Sequence, residues 1–507
     1  MAVKEVLSEA EERFERGRRY TGLFLAPILF LVIYFMPITA LSTEAHRLFA
    51  IIAFVLVFWL CETVPLPITA LLGAVLSVFL GVAPAAQVLA PFANPLVFLF
   101  IGSFILAEAI IYHGLDKRFA FAMISIKFLQ ASPIRILFAL GLVSAVASMW
   151  ISNTAATAMM LPIGLGILNA MRDIDTESGE NKIVTARYSS ALMLMIAYGG
   201  SVGGIATPVG TPPNLIGIGM IDELIGVKLS FFDWMSFALP ITVVMFIYLF
   251  IVLGGLALGG SGGTKAIKAY VESARAKLGG WKRGEINTAF VFIFTVTLWV
   301  LPSVVALFIG KEADLSVLLK ARLNVGVVAI GSAILLFILP LDFAKLKFTM
   351  TWERAVRIDW GTILLFGGGL CLGKLMFSTG FAEAFGKGLT GFTGASTLWG
   401  VTAVSIIIAI IMSETTSNTA SANMVIPVVI AVAISAGVSP LPPALGACLG
   451  ASFGFMMPVS TPPNAIVYGS GLVPILTMVK RGIVFDIGGF FIIMAGLRIL
   501  CPLLGLM

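Results

Sequence analysis

Ser152-Asn153-Thr154-Ala155 recurs 265 residues later as Ser417-Asn418-Thr419-Ala420, each set in an apolar stretch of the same chain. A longer pair follows, Pro208-Val209-Gly210-Thr211-Pro212-Pro213-Asn214 and Pro458-Val459-Ser460-Thr461-Pro462-Pro463-Asn464, 250 residues apart. A looser pair precedes them: Phe100-Ile101-Gly102-Ser103-Phe104 resembles Leu365-Phe366-Gly367-Gly368-Gly369, again offset by 265. Pro162 and Pro427 also align. Motif pairs in one fixed order mean that a structural unit occurs twice, with one connection shorter in the second copy.

Composition places that doubled unit in a bilayer. Of 507 residues, 59% are hydrophobic and 11% charged, with a mean hydropathy of +1.05; soluble chains carry about 25% charged residues. A deficit this deep over this length means many membrane spans, each of about 20 mostly apolar residues. Clear ones lie at 20–38, 48–60, 65–82, 94–111, 231–258, 286–309 and 323–341. The alternation of a membrane barrel is absent, so the spans are helices, which satisfy their own backbone in hydrocarbon. The expected fold is an all-α polytopic membrane protein with about 11 transmembrane helices. Two further apolar segments, 133–171 and 395–436, are too interrupted to cross cleanly and read as re-entrant hairpins.

Basic residues set the orientation. With a cytoplasmic N-terminus and two re-entrant hairpins, 24 of the 32 Lys and Arg residues face the cytoplasm and six face the other side. That bias obeys the positive-inside rule and predicts a multi-pass protein of the cell (inner) membrane. Five spans then separate the two Ser-Asn-Thr segments. Because five is odd, the second copy is upside down relative to the first. Two inverted repeats of this kind build transporter sites near the midplane from discontinuous helices.

The motifs carry chemistry suited to such a site. Polar side chains and unwound backbone in hydrocarbon are costly unless protein, water or ligand satisfies them. Ser148 and Ser413 each stand four residues before a motif serine and add a hydroxyl. A helix beginning at Ser-Asn-Thr directs free N–H groups and partial positive charge at its approach, which receives a carboxylate readily. Two such ends suit two carboxylates. Consecutive prolines cannot continue a helix, so Thr-Pro-Pro-Asn frees carbonyls near Gly210 and Ser460. Carbonyls with hydroxyl and amide oxygens are hard ligands for Na⁺. Neither motif contains Lys or Arg, so a bound dianion needs its charge offset by cations or helix ends.

Other features exclude alternatives. Cys61, Cys371, Cys448 and Cys501 occur singly, without the spacing of a zinc site or disulfide framework. Residues 259–265 lack the Gly-Lys-Ser/Thr ending of a phosphate loop, which argues against ATP-driven transport. No intramembrane nucleophile–base constellation is visible, so an enzyme is not expected, and no nucleic-acid partner either. A channel is disfavoured because paired hairpins make an occluding carrier site. His46 and His113 read as interfacial. Glu108, Lys374 and Glu414 are ionisable groups in or near membrane segments and functional candidates by default; Glu414, beside a hairpin tip, is placed to tune the second site. Residues 9–19 read as an amphipathic lead-in on the cytoplasmic surface.

On these motifs, together with Cys61-Glu62-Thr63-Val64-Pro65-Leu66-Pro67 and Trp360-Gly361-Thr362-Ile363-Leu364-Leu365-Phe366-Gly367-Gly368-Gly369, the chain resembles the divalent anion/sodium symporter family from about residue 20 onward. That family includes Na⁺-coupled dicarboxylate and citrate carriers and dicarboxylate exchangers. The resemblance implies a homodimer in which a transport domain moves like an elevator against a scaffold. It implies a first cation site at Ser148, Ser152, Asn153 and Gly210, and a second at Ser413, Thr416, Asn418 and Ser460. Carboxylates would meet Asn153, Thr154 and Thr211 on one side and Asn418, Thr419 and Thr461 on the other, with Pro212 and Pro462 lining the pocket. Position 413 is Ser where such symporters often have Thr, which keeps the hydroxyl and leaves the coupling stoichiometry open. The corresponding division is a cytoplasmic N-terminus at 1–19, scaffold helices at 20–93, a first transport unit at 94–230, scaffold helices with a cytoplasmic loop at 231–341, a second, inverted transport unit at 342–480, and a final helix at 481–507. The implied activity is Na⁺-coupled transport of C4 and C5 dicarboxylates (succinate, malate, fumarate, 2-oxoglutarate). Dicarboxylate exchange, or carriage of inorganic divalent anions such as sulfate, is the alternative.

Overall fold

A computed structural model describes residues 9–126, 128–129, 132–178, 185–257, 264–393 and 397–507. The glycine-rich stretch 259–265 lies mostly outside the described residues. The helical reading of the sequence holds almost throughout. The first helix, α1 (Glu9–Phe35), absorbs the expected surface lead-in: residues 9–19 are its opening turns. α2 (Thr43–Cys61) is capped by the Ser42 hydroxyl, which accepts from the Ala45 amide at 3.2 Å. α3 (Leu66–Phe79), the short α4 (Ala85–Leu89), α5 (Pro95–His113) and α6 (Leu115–Ile124) complete the opening bundle.

The first repeat follows as α7 (Pro133–Ser148), α8 (Asn153–Ser178), α9 (Ala186–Gly204) and α10 (Pro212–Ile225), then α11 (Phe231–Ala257) and α12 (Thr264–Leu278). Next come α13 (Arg283–Ile309), α14 (Asp314–Arg322), bent by 59° against α15 (Val325–Ile338), and α16 (Trp352–Ala355). A small antiparallel hairpin, β1 (Pro340–Asp342) with β2 (Lys347–Phe348), interrupts the helices, its turn held by Asp342 accepting from the Ala344 and Lys345 amides. α17 (Trp360–Ser378) and α18 (Phe381–Thr393) lead to the second repeat: α19 (Leu398–Thr415), α20 (Asn418–Ser435), α21 (Leu441–Gly450) and α22 (Pro462–Tyr468). The chain ends on α23 (Ile475–Leu504).

Among the described residues ten helices are long and apolar enough to cross a membrane, or 11 if the bent α14–α15 pair is one span. The ten include α8, α19 and α20, the arms of the expected hairpins. The breaks fall where the motifs predict. Thr211 (φ −145°, ψ 143°) and Thr461 (φ −153°, ψ 142°) are both extended, as the residue before a proline must be. Each following helix then starts on its two prolines, whose missing N–H costs nothing at that end.

Packing follows the repeat. α7 lies along α9 as α19 lies along α21, and each second arm crosses to the other half: α8 packs against α22, and α20 against α10. α11, which the sequence places with the supporting helices, packs on α9 and α23. α5 packs with α15, and α3 with α17, while α17 also touches α10 and α20.

The α7–α9 contact needs a glycine. A Cβ built at Gly203 would lie 2.0 Å from the Ala145 carbonyl oxygen and 2.4 Å from its Cα. Backbone cannot step aside as a side-chain end can. Gly203→Ala is therefore expected to destabilise by about 1–3 kcal/mol, seen as a lowered Tm of the purified protein. An unchanged Tm would show that α7 and α9 do not meet this closely.

Candidate functional site

In the first repeat, the end of α7 and the start of α8 face the gap between α9 and α10. Ser148 is fully buried and donates its hydroxyl to Asn153 Oδ1 at 2.6 Å. A Cβ at Gly204 would fall 2.2 Å from Asn153 Oδ1 and 3.1 Å from the Gly210 carbonyl oxygen; one at Gly210 would fall 2.5 Å from the Gly204 carbonyl oxygen and 2.8 Å from that of Ser148. Oxygens of Ser148, Asn153, Gly204 and Gly210 thus surround a space that only glycine leaves open. Gly204 was not expected; its signal was its position at the end of the helix ahead of the break. Ser152 stands apart: it is exposed, and its hydroxyl accepts from the Ala155 amide at 3.2 Å as a helix cap.

The second repeat reproduces the arrangement. Ser413, fully buried, donates toward Asn418 Oδ1 at 2.9 Å and the Ala451 carbonyl at 2.8 Å. A Cβ at Gly454 would lie 3.0 Å from Asn418 Oδ1 and 3.1 Å from the Ser460 Cβ. Thr416 is buried, its hydroxyl turned back onto the Met412 carbonyl at 2.8 Å. The Ser460 hydroxyl is engaged by Glu414, on both its carbonyl (3.0 Å) and its carboxylate (2.8 Å).

The asparagine closing each Thr-Pro-Pro-Asn motif was missed by the sequence reading. Asn214 is fully buried, and its Nδ2 donates to the carbonyls of Gly204 (3.0 Å), Ile205 (3.2 Å) and Thr207 (2.7 Å). Asn464 Nδ2 donates to Gly454 (2.8 Å) and Met457 (3.0 Å). The prolines free these carbonyls and the amide gathers them, which fixes the loop that carries the site. The signal was the repetition of Asn after both proline pairs.

This doubled geometry has known relatives. Residues 18–506 match the family described as "Sodium:sulfate symporter transmembrane region". The chain belongs to that symporter family. It is 32% identical, over 94% of its length and 89% of theirs, to proteins named sodium-dependent dicarboxylate transporter SdcS from Staphylococcus aureus strains bovine RF122 / ET3-1 and USA300. Its fold is similar to that of the Alcanivorax borkumensis YdaH transporter (TM-score 0.54, 12% identity, 96% of each chain). It is also similar to Neisseria gonorrhoeae MtrF (TM-score 0.53, 13% identity, 96% of this chain and 97% of that one). It is a multi-pass membrane transporter and not an enzyme.

The residues expected to meet carboxylates stand at these helix breaks, two in each repeat. Asn153, Thr211, Asn418 and Thr461 are buried, Thr419 and Pro212 half-buried, Thr154 and Pro462 exposed. Thr154 and Thr419 lie in the first turns of α8 and α20, whose leading N–H groups have no intrahelical acceptors. The repeats are tied at this level, since the Cys448 thiol on α21 donates to the Pro213 carbonyl at 2.9 Å. A cavity of about 650 Å³ reaches Glu414, Thr415, Thr416 and Val459 from α1 and the α2–α3 turn.

The remaining ionisable candidates resolve into ion pairs and caps. Lys374 on α17 pairs with Glu223 on α10 at 2.5 Å, and Glu108 with Arg354 at 3.7 Å. His46 and His113 bond the carbonyls of Ile33 (2.6 Å) and Thr349 (2.7 Å). All four cysteines are free.

Removing Asn214 would leave the Gly204 carbonyl without a donor, while the Ile205 carbonyl keeps the Trp234 indole N–H at 3.1 Å and the Thr207 carbonyl keeps the Gly210 amide at 3.4 Å. An unsatisfied buried group costs about 1–3 kcal/mol. Asn214→Ala is expected to lower transport at sub-saturating substrate about tenfold, the equivalent of about 1.4 kcal/mol, and Asn464→Ala likewise. Wild-type transport by both variants would remove these asparagines from the site.

Proposed function

We propose that this chain moves C4 and C5 dicarboxylates (succinate, malate, fumarate and 2-oxoglutarate) across the cell membrane by Na⁺ symport. The observation that carries the reading is the doubled contact of Ser148 on Asn153 and Ser413 on Asn418. Each sits beside a proline-broken helix, among oxygens, with no Lys or Arg in the motif. Helix ends supply only about half a charge each. A dianion held between them therefore needs cations, and cations held by hydroxyl, amide and carbonyl oxygens are alkali-like. The naming of relatives as sodium-dependent dicarboxylate transporters supports both halves of the reading.

The packing supports an elevator mechanism. On this reading α7–α10 and α19–α22, with α11 and α23 packed on them, form the moving unit, and α1–α4 with α13–α15 form the scaffold of a homodimer. The scaffold is joined by α5, which the sequence division puts in the first transport unit and which packs on α15 and α13. α17 runs between the two groups. Na⁺ enters first at the two oxygen clusters. The dianion then docks against the starts of α8 and α20, and the closed unit slides as an elevator. Coupling is reciprocal, so substrate must raise Na⁺ affinity by the factor that Na⁺ raises substrate affinity.

In proteoliposomes an inward Na⁺ gradient is expected to drive succinate accumulation without internal dicarboxylate. Uptake that ignores Na⁺ and requires internal dicarboxylate would establish exchange instead, and competition by sulfate but not by malate would move the substrate to inorganic anions.

The inverted arrangement has a separate check. A single cysteine in α12 should react only from the cytoplasmic face and one at 311–320 only from outside; both reacting from one face would refute it.

A further inference from the structure

Glu414 lies in the last turn of α19, one residue after Ser413, yet its carboxylate is engaged by groups other than the Ser413–Asn418 pair. Its Oε1 accepts from the Phe455 amide at 2.5 Å and the Met456 amide at 2.8 Å, and its Oε2 from the Ser460 hydroxyl at 2.8 Å. Asp486, in the middle of α23, is held beside the same carboxyl: its neighbour Phe485 packs on Phe455 with ring centroids 4.6 Å apart, Glu414 accepts from the Phe455 amide, and the two carboxyl groups interact. It is 5% exposed, and neither of its oxygens meets a donor. Among the described residues no Lys or Arg pairs with either carboxylate. The basic side chain one turn away, Arg481, is committed to the Val252 carbonyl at 3.2 Å.

The surroundings supply oxygens and rings, and no positive charge. Tyr198 on α9 donates its hydroxyl to the Phe455 carbonyl at 2.5 Å and toward the Met478 carbonyl at 3.3 Å, so towards the pair it offers a lone pair. Tyr248 on α11 donates to the Val484 carbonyl at 2.7 Å. Phe453, Phe455 and Phe485 are in mutual ring contact. Two carboxylates in one buried pocket repel, and an unpaired buried charge is not tolerated. Oxygens from Asp486, Glu414 and Tyr198, with nearby carbonyls, form a hard set that suits an alkali cation over a transition metal.

We propose that a monovalent cation, Na⁺ in the working transporter, binds between Glu414 and Asp486, at a site distinct from the two hairpin clusters. The inference rests on the Na⁺-coupled reading above. The cation joins α23 to the hairpin that carries Ser413 and Asn418. Ser460 links this site to the second cluster through its bond to Glu414. Two cluster cations balance a dianion; a further one makes the net charge carried across in each cycle positive, since Glu414 and Asp486 return with the empty carrier, so membrane potential drives transport.

The test counts labelled Na⁺ against labelled succinate in proteoliposomes of the full chain, with and without an inside-negative potential. Wild type is expected to carry one more Na⁺ per dianion than Asp486→Asn and to be accelerated several-fold by the potential, while D486N is not. Asp486→Glu, which keeps the carboxylate, should retain the wild-type ratio. An electroneutral wild type, or a ratio that D486N leaves unchanged, overturns the site. A proton shared by the pair gives that second result and shows instead as a pH dependence that D486N abolishes. Should D486N fail to assemble, the response of wild type to potential decides alone. Wild-type uptake indifferent to Na⁺ would sink the coupling itself, a failure visible before any variant is compared.

Discussion

A helix broken inside a bilayer exposes backbone groups that hydrocarbon cannot satisfy, and every feature of this site is an answer to that constraint. Each repeat breaks twice, once between hairpin arms and once at a proline pair. Each break is managed by an asparagine, because a carboxamide alone among short side chains offers two donors and a two-lone-pair acceptor. Asn214 and Asn464 spend their donors on loop carbonyls. Asn153 and Asn418 receive serine hydroxyls on their oxygens. The first pair makes the loop rigid; the second leaves oxygen facing a gap that Gly204 and Gly454 keep clear.

The two gaps are not independent. Because α8 packs on α22 and α20 on α10, the helix that restarts after each proline pair supports the opposite repeat's hairpin. The thiol of Cys448 on α21 donates to the Pro213 carbonyl on α10 and adds a second tie between the repeats, so close that a Cβ on Gly217 would come 2.5 Å from that sulfur. A shift of one loop is thus felt by the other hairpin through packed helices rather than through solvent. Lys374 adds an ion pair to α10 from α17, the helix that also contacts α3. A partly exposed pair of this kind is worth little in stability, but its place between two helix groups makes it sensitive to their register.

Much of this was legible in the sequence because the chain states it twice. Repetition singled out Ser148, Asn153, Ser413 and Asn418 from many intramembrane polar residues, and proline chemistry located both helix breaks to the residue. The departures have physical causes. Ser152 is a cation ligand on the family resemblance, and its hydroxyl here also caps α8 by accepting from the Ala155 amide, a role that a serine at a helix start takes readily. Residues 9–19 look like a surface helix by charge, yet nothing in them stops a helix, so they run on into α1. Asp486 was invisible because a lone aspartate in an apolar span carries no pattern; only tertiary packing shows that it meets Glu414 from 72 positions away.

The absence of lysine and arginine from both motifs is then a condition of carrying rather than merely binding. A fixed guanidinium would hold a dianion well but would stay charged after its release, so the empty site would face the membrane interior as a buried cation. On the symport reading the compensating charge is Na⁺, which leaves with the cargo. Glu414 takes the same logic in the opposite sign. Its carboxylate is held by two backbone amides and a hydroxyl, all neutral, so its charge is solvated by dipoles and not cancelled. With a cation site beside Asp486, as proposed above, that residual negative charge would bias the second repeat toward taking up a cation before an anion can approach. On the symport reading this imposes an order, cation first and dicarboxylate second, which the electrically neutral first cluster, with only Ser148, Asn153 and backbone oxygens, cannot impose by itself.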